Sequence, residues 1–348
     1  MKTFLQPLQN LAEMEELQKL AGKNRGVIAV SGCMESQKAH LMYGLSGLFP
    51  CHLILSEDER SAKQIYEDYR FYDRDVLYYP ARDLLFFQAD IHGNLIIRQR
   101  MQVIKALLTR EEVTVVTSVD GCMDFLGSLE NIKKQLICFR NDSALDMDKL
   151  KDSLVQMGYE RVGQVEMPGQ FSIRGGIVDI YSLTEENPWR IELWGDEIDS
   201  IRSFDAQSQR SLENLEEIVI YPAAEQQAEN SGITFPDYFP ADKTLIFLDE
   251  PNRLVENAQA VEEEFSQSCR NREEKGTANL SRGWMCGWND LQKKLNRRNC
   301  ISFSSLEPKK TGWDLTGNFN LTVKSMNSYQ SSFELLVKDL KQYKKRGY

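Results

Sequence analysis

Short apolar runs alternate with helical stretches over the first 118 residues, and no other feature narrows the possible fold as much. "GVIAV" (26–30), "CHLILS" (51–56), "DVLYYP" (75–80) and "VTVVTS" (113–118) read as strands, with the first expected over Val27 to Val30. "ERSAKQIYEDYRFY" and "IIRQRMQVIKALLTR" read as helices between them. That order implies an α/β layer built on a parallel sheet. Ahead of it, Asn10 to Gly22 is expected as a helix, with Asn10 as cap, Glu13 three residues on, a stripe of Leu11, Met14, Leu17 and Leu20, and Gly22 as its end.

From about Cys122 the alternation stops. A helix with stripe Leu150, Leu154 and Met157, closed by Gly158, precedes "FSIRGGIVDIYSL", "WRIELWGDEIDSIRSFD" and "LEEIVIYPA", which read as antiparallel strands with turns between them. After Pro222 come a helix-prone acidic stretch near "ENAQAVEEEFSQ", the strand "TLIFLDE" (244–250) and a last helix with Phe333, Leu336, Val337 and Leu340 on one face. The expected organisation is an ATPase-like layer over residues 1–122, an inserted α+β module over 123–217 and a return over 218–348 that packs back on the first. The chain ends in basic residues with only Gly347 as a stop signal, as a piece of something longer would.

Composition removes several function classes. The 348 residues are 41% hydrophobic and 27% charged, and no apolar run approaches the roughly 20 residues of a membrane span. The N-terminus lacks an apolar signal core, which points to the cytoplasm. Seven cysteines without CxxC spacing and three histidines argue for reduced thiols rather than a zinc site. A net charge of −10 opposes broad adhesion to nucleic acid.

A strand followed by "SGCMESQKAH" and a helix sits where a phosphate-binding loop would. Gly32 and Lys38 fit the template GxxxxGK[ST], but Gln37 replaces the glycine that lets backbone N–H groups close on phosphate. Ala39 replaces the hydroxyl that ligates magnesium. Farther on, "LIFLDEP" ends an apolar strand in Asp249 and Glu250, as the acidic pair that holds magnesium-bound water does in ATPases. A solvated strand end is the plainer reading of that pair alone; together the two motifs suggest a degenerate P-loop NTPase-like layer that no longer uses ATP.

Period-2 arithmetic on the middle strands gives a second candidate site. In "FSIRGG", Phe171 and Ile173 face one way, Ser172 and Arg174 the other, and Gly175 and Gly176 mark a bulge or a close backbone approach. In "WRIELWGDEI", Ile191 and Leu193 share one face and Arg190, Glu192 and Trp194 the opposite one, while Gly195-Asp196 offers a hairpin turn. Arginine beside tryptophan is the composition of a protein-binding hot spot. The alternative is an Arg190–Glu192 surface ion pair of small worth, with Trp194 merely covering the sheet.

At these residues the sequence resembles the N-terminal module of bacterial transcription-repair coupling factors, itself similar to the nucleotide excision repair protein UvrB. "GQFSIRGGIVDIYSLTEENPWRIELWGDEIDSIRSFDAQSQRSLENLEEIVIYPA" (169–223) carries the resemblance, with support from "YYPARDLLFFQADIHGNLIIRQRMQVIKALL" (78–108) and "VSGCMESQKAHL". The resemblance implies a helicase-like layer with an insert, similar to domains 1a, 2 and 1b of UvrB. It implies that the insert binds the excision repair protein UvrA, through the family's positions that fall here on Arg174, Arg190 and Trp194, with Glu192 on the same face and tryptophan in place of a frequent phenylalanine.

The broken loop, and the lack of an aromatic-rich hairpin after "YYPARDLL", favour the coupling factor over UvrB. The parent protein is then expected to meet lesion-stalled RNA polymerase, to translocate on duplex DNA with ATP and magnesium in a motor domain beyond these residues, and to hide the UvrA-binding surface by an autoinhibitory contact with its C-terminal region. The 348 residues themselves are expected to need no cofactor and to do no chemistry. Charge reversal at Arg190 is expected to abolish binding with the fold intact. Two rivals stand beside this reading: a UvrB-like module that binds ATP, and a DNA-binding module that uses the basic residues of "LQKKLNRRN" and "KKRGY", which the plainer view takes as a solvated helix face.

Overall fold

The structure is a computed structural model that describes residues 2–9, 11–22, 25–82, 90–225, 228–276, 281–307, 312–321, 329 and 331–347. The first stretch runs α1 (Lys2–Gln9), α2 (Ala12–Ala21), β1 (Gly26–Ser31), α3 (Glu35–Leu45), β2 (Cys51–Ser56), α4 (Glu59–Tyr69), β3 (Leu77–Tyr79), α5 (Asp90–Thr109) and β4 (Val113–Ser118). Strands β2 and β4 fall on the expected residues, because an unbroken apolar run has no exposed face to occupy and is buried along its whole length. Two expectations shift at the N-terminus. The cap of α2 is Leu11 rather than Asn10, which lies outside the described residues, and α1 precedes it with Pro7 inside. The region after "YYPARDLL" is also outside the described residues from 83 to 89.

The middle stretch comprises α6 (Val119–Met123), α7 (Leu129–Gln135), β5 (Ile137–Arg140), α8 (Met147–Gln156), β6 (Glu160–Arg161), β7 (Gln170–Arg174), β8 (Ile177–Ile180), β9 (Trp189–Trp194), β10 (Glu197–Phe204), β11 (Ser211–Leu215) and β12 (Glu217–Ile220). Asp146 caps α8 by accepting from Lys149 N, and Leu150 and Leu154 are buried as the stripe requires. Six strands form one sheet in the order β11-β10-β9-β8-β7-β6, antiparallel except for the short β6–β7 pair, and β12 closes on β5 in a separate ribbon.

The last stretch holds β13 (Thr244–Asp249), α9 (Pro251–Glu274), α10 (Trp288–Asn296), β14 (Asn299–Phe303), β15 (Leu315–Asn320) and α11 (Phe333–Arg346). Its strands join the first stretch in one seven-stranded parallel sheet of order β15-β1-β14-β13-β2-β4-β3. The α/β class read from the sequence holds: a large parallel sheet that the chain leaves, to build an antiparallel one, and then re-enters.

Packing joins the two sheets. One apolar core runs from Leu53 and Val115 through Ile104 and Leu126 to Phe171, Val178 and Ile191. A buried ion cluster sits where the chain enters and leaves the middle stretch. Arg100, fully buried, donates from Nε to Glu225 Oε1 at 2.8 Å and from Nη1 to the Pro80 carbonyl at 2.9 Å, and lies 4.1 Å over the Tyr79 ring. Its Nη2 reaches Asp124 at 3.4 Å, and Arg82 also meets Glu225. Two guanidinium groups against two carboxylates balance the charge that burial would otherwise penalise. Among the described residues no helix is long and apolar enough to cross a membrane.

Candidate partner-binding site

Two places in this fold carry the candidate residues: the corner after β1 and the outer face of the antiparallel sheet.

In the corner, Lys38 lies in the first turns of α3 with its side chain 1% exposed. Its ammonium donates to Asp249 Oδ1 at 2.7 Å, Glu250 Oε1 at 2.8 Å and Glu35 Oε1 at 2.9 Å. Burial alone would lower its pKa, but the surrounding carboxylates, Asp249 above all, outweigh that and hold it above the ordinary lysine value. Burial pushes the Asp249 carboxyl up against the pull of Lys38, and Ser56 Oγ donates to its other oxygen at 3.0 Å. Burial also works against ionisation of Glu250, yet bonds from Lys38 and from Ser305 N and Oγ prevail and lower its pKa. Glu250 stands in the left-handed region, φ 47°, at the start of α9.

The loop before α3 is closed in the same way. Cys33 N donates to the Ser304 carbonyl. At Gly32, φ +77°, a Cβ would lie 2.1 Å from the carbonyl oxygen of Leu321, just beyond β15. A magnesium nucleotide needs free loop amides, a lysine that reaches outward and a hydroxyl ligand. These residues do not fit it: Gln37 and Ala39 lack the chemistry, and Lys38 with its acidic pair forms an internal ion cluster.

The outer face is built by register. Arg174 pairs with Ile177, and Ile177 with Glu192; Ser172 pairs with Asp179, Asp179 with Arg190, and Arg190 with Arg202. Directly opposed residues in antiparallel strands share a face, so Arg174, Arg190, Glu192 and Trp194 lie together, as alternation predicts. Phe171, Val178, Ile191 and Ile201 are buried on the other side. Trp194 ends β9 opposite Glu197, beside the Gly195-Asp196 turn, and is 84% exposed. Gly175 and Gly176 form no bulge but the two-residue turn between β7 and β8, with Gly175 at φ +58°, and the expected close backbone approach is met at Gly176, where a Cβ would lie 3.1 Å from the Leu193 carbonyl oxygen.

The ion pairs differ from the one weighed in the sequence. Arg190 pairs with Asp179, Nε to Oδ1 at 2.7 Å and Nη2 to Oδ2 at 2.9 Å, and its bond to that carboxylate raises its pKa. Arg174 Nη2 reaches Asp179 Oδ2 at 2.6 Å, with 45% of its side chain still exposed. Glu192 instead accepts from Arg202 Nη1 at 3.2 Å and from Ser200 Oγ at 3.3 Å. Arg190 is therefore an anchored side chain, and a glutamate there would face Asp179; Arg174 and Trp194 are the exposed members. Sequence reasoning missed Asp179, Arg202 and Gln209. A two-residue turn at Gly175-Gly176 would have set Asp179 opposite Ser172. In the basic stretch of α10, Lys293 pairs with Asp290 at 3.0 Å and Lys294 with Asp237 at 2.5 Å.

The antiparallel sheet lies within residues 137–225, which match the family described as the UvrB interaction domain. The chain is similar to the transcription-repair-coupling factor of Bacillus subtilis, 37% identical over 211 residues that cover 56% of this chain and 18% of that protein. The Staphylococcus aureus factor is 36% identical over 45% of this chain and 13% of its own length. The UvrABC system protein B of Thermotoga petrophila is 32% identical over 50% of this chain and 28% of its own. The chain thus spans less than a third of each of these relatives, and they are the same two kinds of protein that residues 169–223 resemble.

Proposed function

We propose that this chain is the recruitment module of a transcription-repair coupling factor, with residues 123–217 as an insert that docks the excision repair protein UvrA. The observation that carries the reading is that the exposed Trp194 indole and the half-exposed Arg174 lie on one sheet face, within the stretch matched by the UvrB interaction domain. Arginine and tryptophan at the centre of an interface are the residues whose truncation costs most.

In this reading, residues 1–122 and 218–348 form the support, and the chain itself needs no nucleotide or metal. The longer protein meets stalled RNA polymerase and duplex DNA, drives translocation with ATP and magnesium elsewhere, works in the cytoplasm and covers the face by contact with its C-terminal region until the motor engages. A UvrB-like nucleotide-binding role is disfavoured by the engaged Lys38.

The test is titration of purified UvrA into the 348-residue chain and its Trp194→Ala and Arg174→Ala variants. Each variant should lose about 2 kcal/mol of binding, roughly thirtyfold, with both still folded by circular dichroism and the melting temperature of Trp194→Ala unchanged. Wild-type affinity in both variants would reject the reading.

A further inference from the structure

Asp179 points outward from β8 and is nevertheless 1% exposed, because two arginines cover it. Oδ1 accepts from Arg190 Nε, and Oδ2 from both Arg190 Nη2 and Arg174 Nη2, at 2.7, 2.9 and 2.6 Å. Gln209 Oε1 takes a further bond from Arg190 Nη2 at 3.0 Å, and the Arg190 guanidinium lies 4.3 Å over the ring of buried Phe204. The fork of Arg190 is thus fixed on three sides before any partner arrives.

The geometry points to Asp179 as the positioning residue of the docking face, which fixes the guanidinium groups of Arg174 and Arg190 for a carboxylate of the partner. The inference rests on the reading of this face as the docking surface for UvrA. The clamp itself carries a net positive charge: Arg174 and Arg190 bring two positive charges, Asp179 removes one, and Glu192 is matched by Arg202. One positive charge remains at the clamp, while the residue opposite Trp194 at the end of β9 is Glu197. Fixing the guanidinium groups in advance also removes rotamer loss that free arginines would suffer on docking.

Asp179→Asn separates positioning from charge, because it makes the face more positive while it loosens the clamp. Affinity of the 348-residue chain for purified UvrA should fall about tenfold. A face that acts by charge alone would instead bind an acidic surface more tightly. A second readout needs no partner: the Nε–Hε signal of Arg190, measured by NMR in the free chain, should exchange faster with water in the variant.

Unchanged or tighter binding by folded Asp179→Asn overturns the proposal, as does an unchanged Arg190 signal. If the wild-type chain fails to bind UvrA while the Arg190 signal responds, the docking reading falls and the positioning role stands. Should Asp179→Asn fail to fold, Gln209→Ala carries the test, since it takes an acceptor from Arg190 without stranding a buried charge. A loss of about threefold in affinity and faster Arg190 exchange are expected there; no change in either overturns the proposal.

Discussion

The corner after β1 and the outer face of the antiparallel sheet use similar materials, cations against carboxylates at strand ends, and put them to opposite ends. In the corner the cation is central and enclosed: Lys38 touches three carboxylates, and the carbonyl of Leu321 sits over Gly32. On the face the carboxylate is central and enclosed, and the arginines around Asp179 lie between it and solvent. A buried cation can only hold its own fold together, whereas a buried anion ringed by cations leaves those cations toward a partner. The strand ends at which an open α/β sheet usually takes its ligand are therefore closed by internal ion pairs, and the candidate binding surface lies on the insert.

The largest effect that would break this contrast is on stability. Lys38→Ala leaves the buried Asp249 without its partner and should cost about 3–5 kcal/mol in urea unfolding, as removal of one member of a buried ion pair does. Trp194→Ala should change stability by no more than about 0.5 kcal/mol. Equal stability losses at the two sites would erase the distinction.

A smaller effect sharpens it. Restoring the loop with Gln37→Gly and Ala39→Thr supplies the missing motif residues but moves neither Asp249 nor Leu321. The double variant should show no gain in binding of a fluorescent ATP analogue with magnesium. Micromolar binding would mean that the motif residues alone, not the ion cluster and the overlying segment, keep the corner shut.

Much of this contrast is legible in the sequence alone. The outer face is legible because a strand's side chains alternate whatever the rest of the chain does, so Arg190, Glu192 and Trp194 have to share a side. The broken loop is legible as chemistry, from Gln37 and Ala39. The lock on Lys38 is not, because its partners Asp249 and Glu250 lie 211 and 212 residues away and only the parallel sheet brings them together. Strand β15, with the polar sequence "LTGNFN", has no apolar signal; pairing with β1 makes it a strand. Asp179 escapes for a local reason: two adjacent glycines in a strand pattern suggest a bulge or close approach, and a turn of two residues changes which residue stands beside Arg174.

Hydrogen–deuterium exchange on the 348-residue chain, with and without purified UvrA, reads the corner and the outer face in one experiment. Added protection is expected only in peptides covering residues 170–180 and 189–204, with none over 32–45 or 244–257, and no change anywhere on adding ATP and magnesium. Protection by ATP at 32–45, or protection by UvrA that leaves 189–204 untouched, would contradict that expectation.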